Sequence, residues 1–231
     1  MKSGRPVLWL TAVAVLLAVG LSLGGGDAMV ETLRLPQPKT EGKMSVEEAI
    51  SKRRSRRAFS SKPLTLEQLG QILWCAQGIT DSRGVKRAAP SAGATYPLDV
   101  YVAVGEGTVA GLKEGVYRYV PSGHALLQTG RRDIRAQVAS AALDQEFLAE
   151  APADILIAAD YTRTTARYGD RGVRYVHMEV GHVGQDVYLQ AEALGLGTVA
   201  VGAFRDEQVA RHFGLPAGQV ALYLMPIGYA R

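Results

Sequence analysis

From Arg171 to Leu194 the apolar residues Val173, Val176, Val180, Val183, Val187, Ala191 and Leu194 recur at steps of three or four. That spacing is helical, so the segment predicts one long helix with a single apolar face, and any fold must cover that face along its whole length. Gly181 and Gly184 interrupt it. A glycine costs about 1 kcal/mol against alanine in a helix interior, so both need a packing reason. Close approach of another backbone, such as a partner subunit's, is the reason the pattern points to.

Shorter elements surround this helix. Ser45 followed by Glu48 reads as a capping box that opens a helix running through Ile50, and Thr65-Leu66-Glu67-Gln68 repeats the signal. The second helix places Leu66, Leu69, Ile72, Leu73 and Ala76 on one face and ends at Gly78. Residues 98–104 and 115–120 read as strands, with 125–128 pairing back across the turn Pro121-Ser122-Gly123-His124. Ala153 to Ala159, bounded by Pro152 and Asp160, reads as a fully buried strand. Residues 132–148 and 205–213 read as helices, 199–201 and 220–227 as strands. Helices and strands mix without strict βαβ alternation, which predicts an α+β class. A chain of 231 residues can bury that core in one domain.

The N-terminus stands apart. Lys2 and Arg5 precede an uncharged run of 17 residues, Val7 to Leu23, followed by Gly24-Gly25-Gly26-Asp27-Ala28. This reads as a signal peptide cleaved after Ala28 or as a single membrane anchor, with the two cations keeping the N-terminus cytoplasmic and sending the domain across the membrane. The expected organisation is therefore 1–28 export segment, 29–43 linker or extended arm, and 44–231 folded domain, located outside the cytoplasmic membrane. The lone Cys75 rules out an intramolecular disulfide framework, and its apolar surroundings read as a buried, inert thiol.

Net charge is only +4, and the excess is concentrated between Lys52 and Arg57. The run Arg53-Arg54-Ser55-Arg56-Arg57-Ala58-Phe59 sets four guanidinium groups and a hydroxyl at the end of a short helix. Basic runs are often solvated surface or nucleic-acid patches. An exported domain makes nucleic acid a poor partner, and an arginine fork suits a phosphate. About 35 residues later, Pro90-Ser91-Ala92-Gly93-Ala94-Thr95-Tyr96-Pro97 forms a small-residue loop, where backbone can lie close against a flat ligand. No Gly-x-Gly-x-x-Gly or Gly-x-Ser-x-Gly signature is present, and His177 and His182 lack the i, i+4 spacing of helical metal ligands.

Together these segments resemble the nitroreductase-type flavoproteins, and most closely their SagB-type dehydrogenase branch, over roughly residues 44–231. The resemblance implies a central mixed, mainly antiparallel sheet flanked by helices, in a domain-intertwined homodimer with shared FMN sites. It implies that Arg53, Arg54, Ser55 and Arg57 hold the FMN phosphate and ribityl chain, with Arg56 solvated. It implies that Pro90, Ser91, Ala92 and Gly93 line the flavin edge from the other subunit. Ala200, Val201 and Gly202 would pass the ring with a backbone N–H near N5. Family members complete the phosphate site with a basic pair in a C-terminal extension; here the chain stops at Gly228-Tyr229-Ala230-Arg231, and Arg231 is the candidate substitute.

The implied activity is FMN-dependent, ping-pong hydride transfer from NADH, NADPH or an oxidisable substrate to an acceptor that stacks on the flavin. Two other readings stay open. Azoline dehydrogenases of the SagB-type branch use a Lys-Tyr pair ahead of the long helix, and Arg167-Tyr168 stands nearest that place here. Tyr168 is thus a candidate general acid, whereas an arginine makes a poor base. The third reading is an exported flavin-binding module without turnover.

Overall fold

The computed structural model describes residues 32–231. The run from Val7 to Leu23 and the expected processing point at Ala28 lie outside the described residues. Among the described residues, no helix is long and apolar enough to cross a membrane.

The sheet has seven strands in the order β1-β4-β3-β2-β5-β7-β6. These are β1 (Thr32–Arg34), β2 (Leu98–Val104), β3 (Gly115–Val120), β4 (Ala125–Gly130), β5 (Ala153–Asp160), β6 (Gly197–Thr198) and β7 (Gln219–Gly228). Every pair of neighbours runs antiparallel. Parallel pairing is confined to isolated bridges, of which Ser55 to Thr198 matters most below. The segment read as a linker or arm is docked: Thr32 pairs with Leu127 and Arg34 with Ala125, and Leu35 behind them is 3% exposed.

Alternation along the central strands divides the core into two layers. Val100, Val102 and Val104 of β2 and Ile155 and Ile157 of β5 face α2 (Leu66–Gln77) and α6 (Arg171–Ala193). Tyr101, Ala103, Leu156 and Ala158 point the other way, toward α3 (Arg135–Ala141), α4 (Phe147–Glu150) and α7 (Asp206–Phe213). The apolar face of α6 therefore lies on the sheet from Val176 to Ala191, with Val176, Val180, Val183, Val187 and Ala191 buried, while Val173 in its first turn is 40% exposed.

Local differences from the sequence reading have local causes. The helix expected over 132–148 is two, because Leu143 (φ 60°) and Asp144 (φ 59°) take left-handed backbone between α3 and α4. The strand expected over 199–201 pairs regularly only at Gly197 and Thr198, with Val201 bridging Leu224 alone. Thr65 and Gln68 form a complete capping box on α2. At α1 (Val46–Lys52), Ser45 Oγ accepts from Glu48 N, but the Glu48 carboxylate turns to Lys52 Nζ at 2.6 Å.

Candidate functional site

One hydroxyl gathers the basic segment and the segment after β6. Tyr188, on the open side of α6, places its Oη 3.0 Å from Ser55 Oγ and accepts from the N–H of Ala200 at 2.8 Å. The Arg53 guanidinium stacks over the same ring, 5.2 Å from its centroid. Main chain reinforces the join: Arg56 N–H donates to Thr198 O at 2.9 Å beside the Ser55–Thr198 bridge. Arg56 is half-buried, not the solvated residue expected, because its stem lies over Gly197. A Cβ at Gly197 would fall 2.8 Å from Arg56 Cβ, which is why a glycine stands there.

The charges of this segment are unbalanced. Lys52 is paired with Glu48, and Arg54 folds back to donate to the carbonyls of Ser51 and Arg53 at the end of α1. Among the described residues, no carboxylate pairs with Arg53, Arg54, Arg56 or Arg57. Such a cluster beside a hydroxyl suits an oxyanion with several acceptor positions. Arg231 is placed differently. Its side chain donates to Phe59 O and pairs with Glu150 at 3.0 Å, while its backbone N–H reaches Ala58 O. It fastens the chain end without joining Ser55 and Tyr188.

Of the three positions expected beside a flavin ring, two have their N–H groups taken. Ala200 donates to Tyr188, and Val201 donates to Leu224 O at 2.8 Å. Among the described residues, nothing accepts from Gly202, which is exposed. A Cβ at Gly202 would meet only the Tyr223 ring, at 3.7 Å, and one at Gly184 would meet the same ring at 3.3 Å. Gly181 faces open space. Gly181 and Gly202 are thus exposed, while Gly184 is buried against the Tyr223 ring.

The loop of Pro90, Ser91, Ala92 and Gly93 lies elsewhere. Gly93 (φ 61°), Ala94 (φ 53°) and Tyr96 (φ 46°) take left-handed backbone, of which only the first is free of steric cost. Several contacts hold the two others. Ser91 Oγ accepts from Tyr96 N–H at 3.0 Å, Tyr96 Oη donates to Val85 O, and Arg87 stacks 4.4 Å from the Tyr96 ring. Arg167 Nη1 donates to Gly93 O at 3.2 Å, and a Cβ at Gly93 would fall 2.5 Å from Tyr168 Oη. Tyr168, in α5 (Thr162–Tyr168), packs edge-on against Tyr175 at the start of α6. Thirteen residues separate Tyr175 from Tyr188, or about 20 Å of helix. Within one chain the Arg53–Ser55 group meets α6 at Tyr188, whereas the Ser91–Gly93 group meets it between Tyr175 and Glu179.

Behind the loop, Glu179 is 2% exposed with its Oε1 unpartnered, a buried carboxyl that the amphipathic pattern of α6 does not signal. Burial pushes its carboxyl up to about 7, with Ser91, Gln77 and Arg87 pulling the other way. Asp186, two turns on, is pushed up to about 6 by burial against the pull of His182. Cys75 is buried as expected, its thiol donating to Ile72 O and raised by burial. No group of His, Cys, Asp and Glu able to hold a metal exists among the described residues.

Comparisons with known proteins agree with this architecture. The nitroreductase family model matches residues 50–229. A nitroreductase-like protein of Methanocaldococcus jannaschii is 50% identical over 200 residues, covering 87% of this chain and 98% of its own. The microcin B17-processing protein McbC of Escherichia coli is 26% identical over 161 residues, 68% of this chain and 59% of McbC, and supports the SagB-type branch. Among solved structures, a nitroreductase-like protein of Ralstonia eutropha superposes with a TM-score of 0.75 at 30% identity, covering 87% and 90% of the two chains. The NADPH:FMN oxidoreductase of Vibrio harveyi, solved with NAD+, superposes at 0.58 over 80% of this chain and 68% of its own. At 22% identity that likeness speaks to the fold alone.

Proposed function

The chain belongs to the nitroreductase family, and from that premise we propose that it is an FMN-dependent oxidoreductase that passes hydride from NADH or NADPH to a small acceptor. The observation that carries the reading is Tyr188, whose single hydroxyl joins the phosphate-suited segment at Ser55 to the ring-suited segment at Ala200. The bound flavin supplies the hydride-accepting and hydride-donating centre, and the protein supplies binding, orientation and electrostatics. Arg53, Ser55 and Arg57 hold the phosphate through charge-assisted hydrogen bonds, and among the described residues neither arginine is paired with a carboxylate. Gly202 offers its N–H to the ring edge. Arg231, committed to Glu150 and Phe59, has the weaker claim on the phosphate.

The loop at Pro90, Ser91, Ala92 and Gly93 serves the site of a second copy. In its own chain the loop meets α6 no nearer than Glu179, nine residues or about 13 Å of helix from Tyr188, and the exposed Val173, Met178 and Gly181 on α6 offer a face to a partner. Each FMN then sits between two chains. The domain works outside the cytoplasmic membrane, delivered by the segment before Ala28.

A second reading, azoline dehydrogenation on a modified peptide, draws on the likeness to McbC and on Tyr168 standing over Gly93. Arg167 weighs against it, since a guanidinium that donates to Gly93 O stays charged and abstracts no proton.

The full chain, purified and then mixed anaerobically with NADH or NADPH, tests both readings. A yellow dimer that bleaches supports the oxidoreductase. A yellow dimer that bleaches with neither nucleotide contradicts it in favour of the azoline reading or a non-turning-over module. A colourless monomer that takes up no FMN contradicts both.

A further inference from the structure

His177, Gly181, Gly184 and Tyr188 follow one another on α6 at steps of four, three and four, so they share one face of the helix. Tyr188 closes one end of that face. The other end is closed by a second aromatic pair. Tyr161, the residue before α5, sets its Oη 2.5 Å from His177 Nε2, with the two rings edge-on and their centroids 5.6 Å apart. Asp206, four residues beyond Gly202, bears electrostatically on Tyr161. The pair therefore lies at the opposite end of this helix face from Tyr188, within electrostatic reach of Asp206 at the end of the segment that begins at Gly202. Tyr161 is partly buried against the core, while His177 is open to solvent.

We propose that Tyr161 and His177 form a proton relay serving the acceptor half of the reaction, for a carbonyl-type acceptor such as a quinone; this rests on the flavin reading above. Such an acceptor needs a hydride and a proton. A bound, reduced flavin would supply the hydride, and Tyr161 would supply the proton: its O–H bond would break as the acceptor's O–H bond forms. The His177 imidazolium passes its Nε2 proton to the phenolic oxygen, so no tyrosinate accumulates, and solvent reprotonates the exposed ring. Burial and Asp206 both hold Tyr161 in its protonated form, as a neutral relay requires. The charged groups on the elements around the pair include Asp206, which bears on Tyr161, and Arg174, three residues before His177 on α6. Arg163, beside Tyr161, is committed to Asp99 and Asp160.

The test separates the two half-reactions. Wild type, Tyr161→Phe and His177→Asn are loaded with FMN, reduced anaerobically with NADH or NADPH, and mixed with menadione across pH about 5.5 to about 9. Both variants should bind and reduce FMN as wild type does. Their reoxidation should slow about 100-fold, the low end of what a general acid supplies. The double variant should be no slower than either single one, because the pair acts as a unit. Wild-type reoxidation should fall as pH rises through the imidazolium's ionisation, a slope both variants lose. In the unloaded protein, Tyr161→Phe should shift the NMR titration of the His177 ring. Reoxidation at the wild-type rate in both variants, or an unmoved His177 titration, overturns the relay alone. FMN that fails to bind, or is not reduced, overturns the flavin reading itself.

Discussion

Tyr188 and Ser55 are separated by 133 positions in the chain, and their hydroxyls meet at 3.0 Å. The same Tyr188 oxygen is also the acceptor for Ala200 N–H. Replacing Tyr188 with Phe removes both bonds and leaves the Ala200 N–H without its partner, at a cost of about 1–3 kcal/mol in stability. Because the Arg53 stack and Ser55 lose their anchor, FMN affinity should fall about tenfold, equivalent to about 1.4 kcal/mol. Fluorescence titration with FMN and urea unfolding measure the two losses. An unchanged affinity would remove Tyr188 from the site.

Gly93 combines left-handed backbone with a close neighbour. Gly93→Val adds a β-branched side chain at φ 61°, on the side where Tyr168 Oη lies 2.5 Å from a Cβ. Backbone strain of this kind costs about 1–3 kcal/mol. The variant should melt several degrees lower, and displacing Tyr168 should loosen the 91–96 loop, visible as faster amide exchange there. A melting temperature equal to wild type would mean that the loop relaxes freely.

Glu179 predicts a stability that depends on pH near neutrality. Its folded-state value, about 7, lies above its ordinary value of 4.5. The folded protein therefore holds a proton that the unfolded chain releases. The associated stabilisation is complete below pH 4.5 and is lost as pH rises through about 7. Glu179→Gln carries no such titration, so its stability relative to wild type should rise across that window. Urea midpoints taken at intervals from pH about 4 to about 8 measure it. Parallel curves for the two proteins would contradict the assignment.

Asp154 extends the same logic to the opposite layer. It is fully buried in β5 with neither carboxylate oxygen partnered, and burial raises it well above the ordinary aspartate value. Its stabilising proton is likewise present at low pH and lost as pH rises through the folded-state value. Asp154→Asn should be more stable than wild type by about 1–3 kcal/mol at pH about 8. That advantage should vanish below pH about 4, where the unfolded chain is protonated too. Calorimetry at the two pH values decides it.

The sequence was most legible where one local pattern determines the outcome. The valine period of α6, the capping box at Thr65 and the apolar run of β5 each carry their structure within a few residues. The break between α3 and α4 was hidden because Leu143 and Asp144, not glycines, take the left-handed backbone. The site was half legible. Arg53, Ser55 and Gly202 stand out as residue types suited to phosphate and ring. Tyr188, Glu179 and the Tyr161–His177 pair do not, because each looks like ordinary helix or loop until a distant segment meets it. Ala200, Val201 and Gly202 were equivalent as a motif; only hydrogen-bond partners distinguish Gly202 from the other two.

The central claim is that one FMN is held by Arg53 and Ser55 of one chain and by the Ser91–Gly93 loop of another. Mixed dimers test it most directly. An Arg53→Ala/Ser55→Ala chain and a Gly93→Val/Ser91→Val chain are each purified alone, then co-expressed with different tags and isolated as the heterodimer. Each homodimer should lose FMN. The heterodimer should regain one FMN per dimer, because one of its two sites then combines an intact Arg53 group with an intact Ser91 loop. A heterodimer as empty as its parents, or homodimers that keep their flavin, would contradict the shared site.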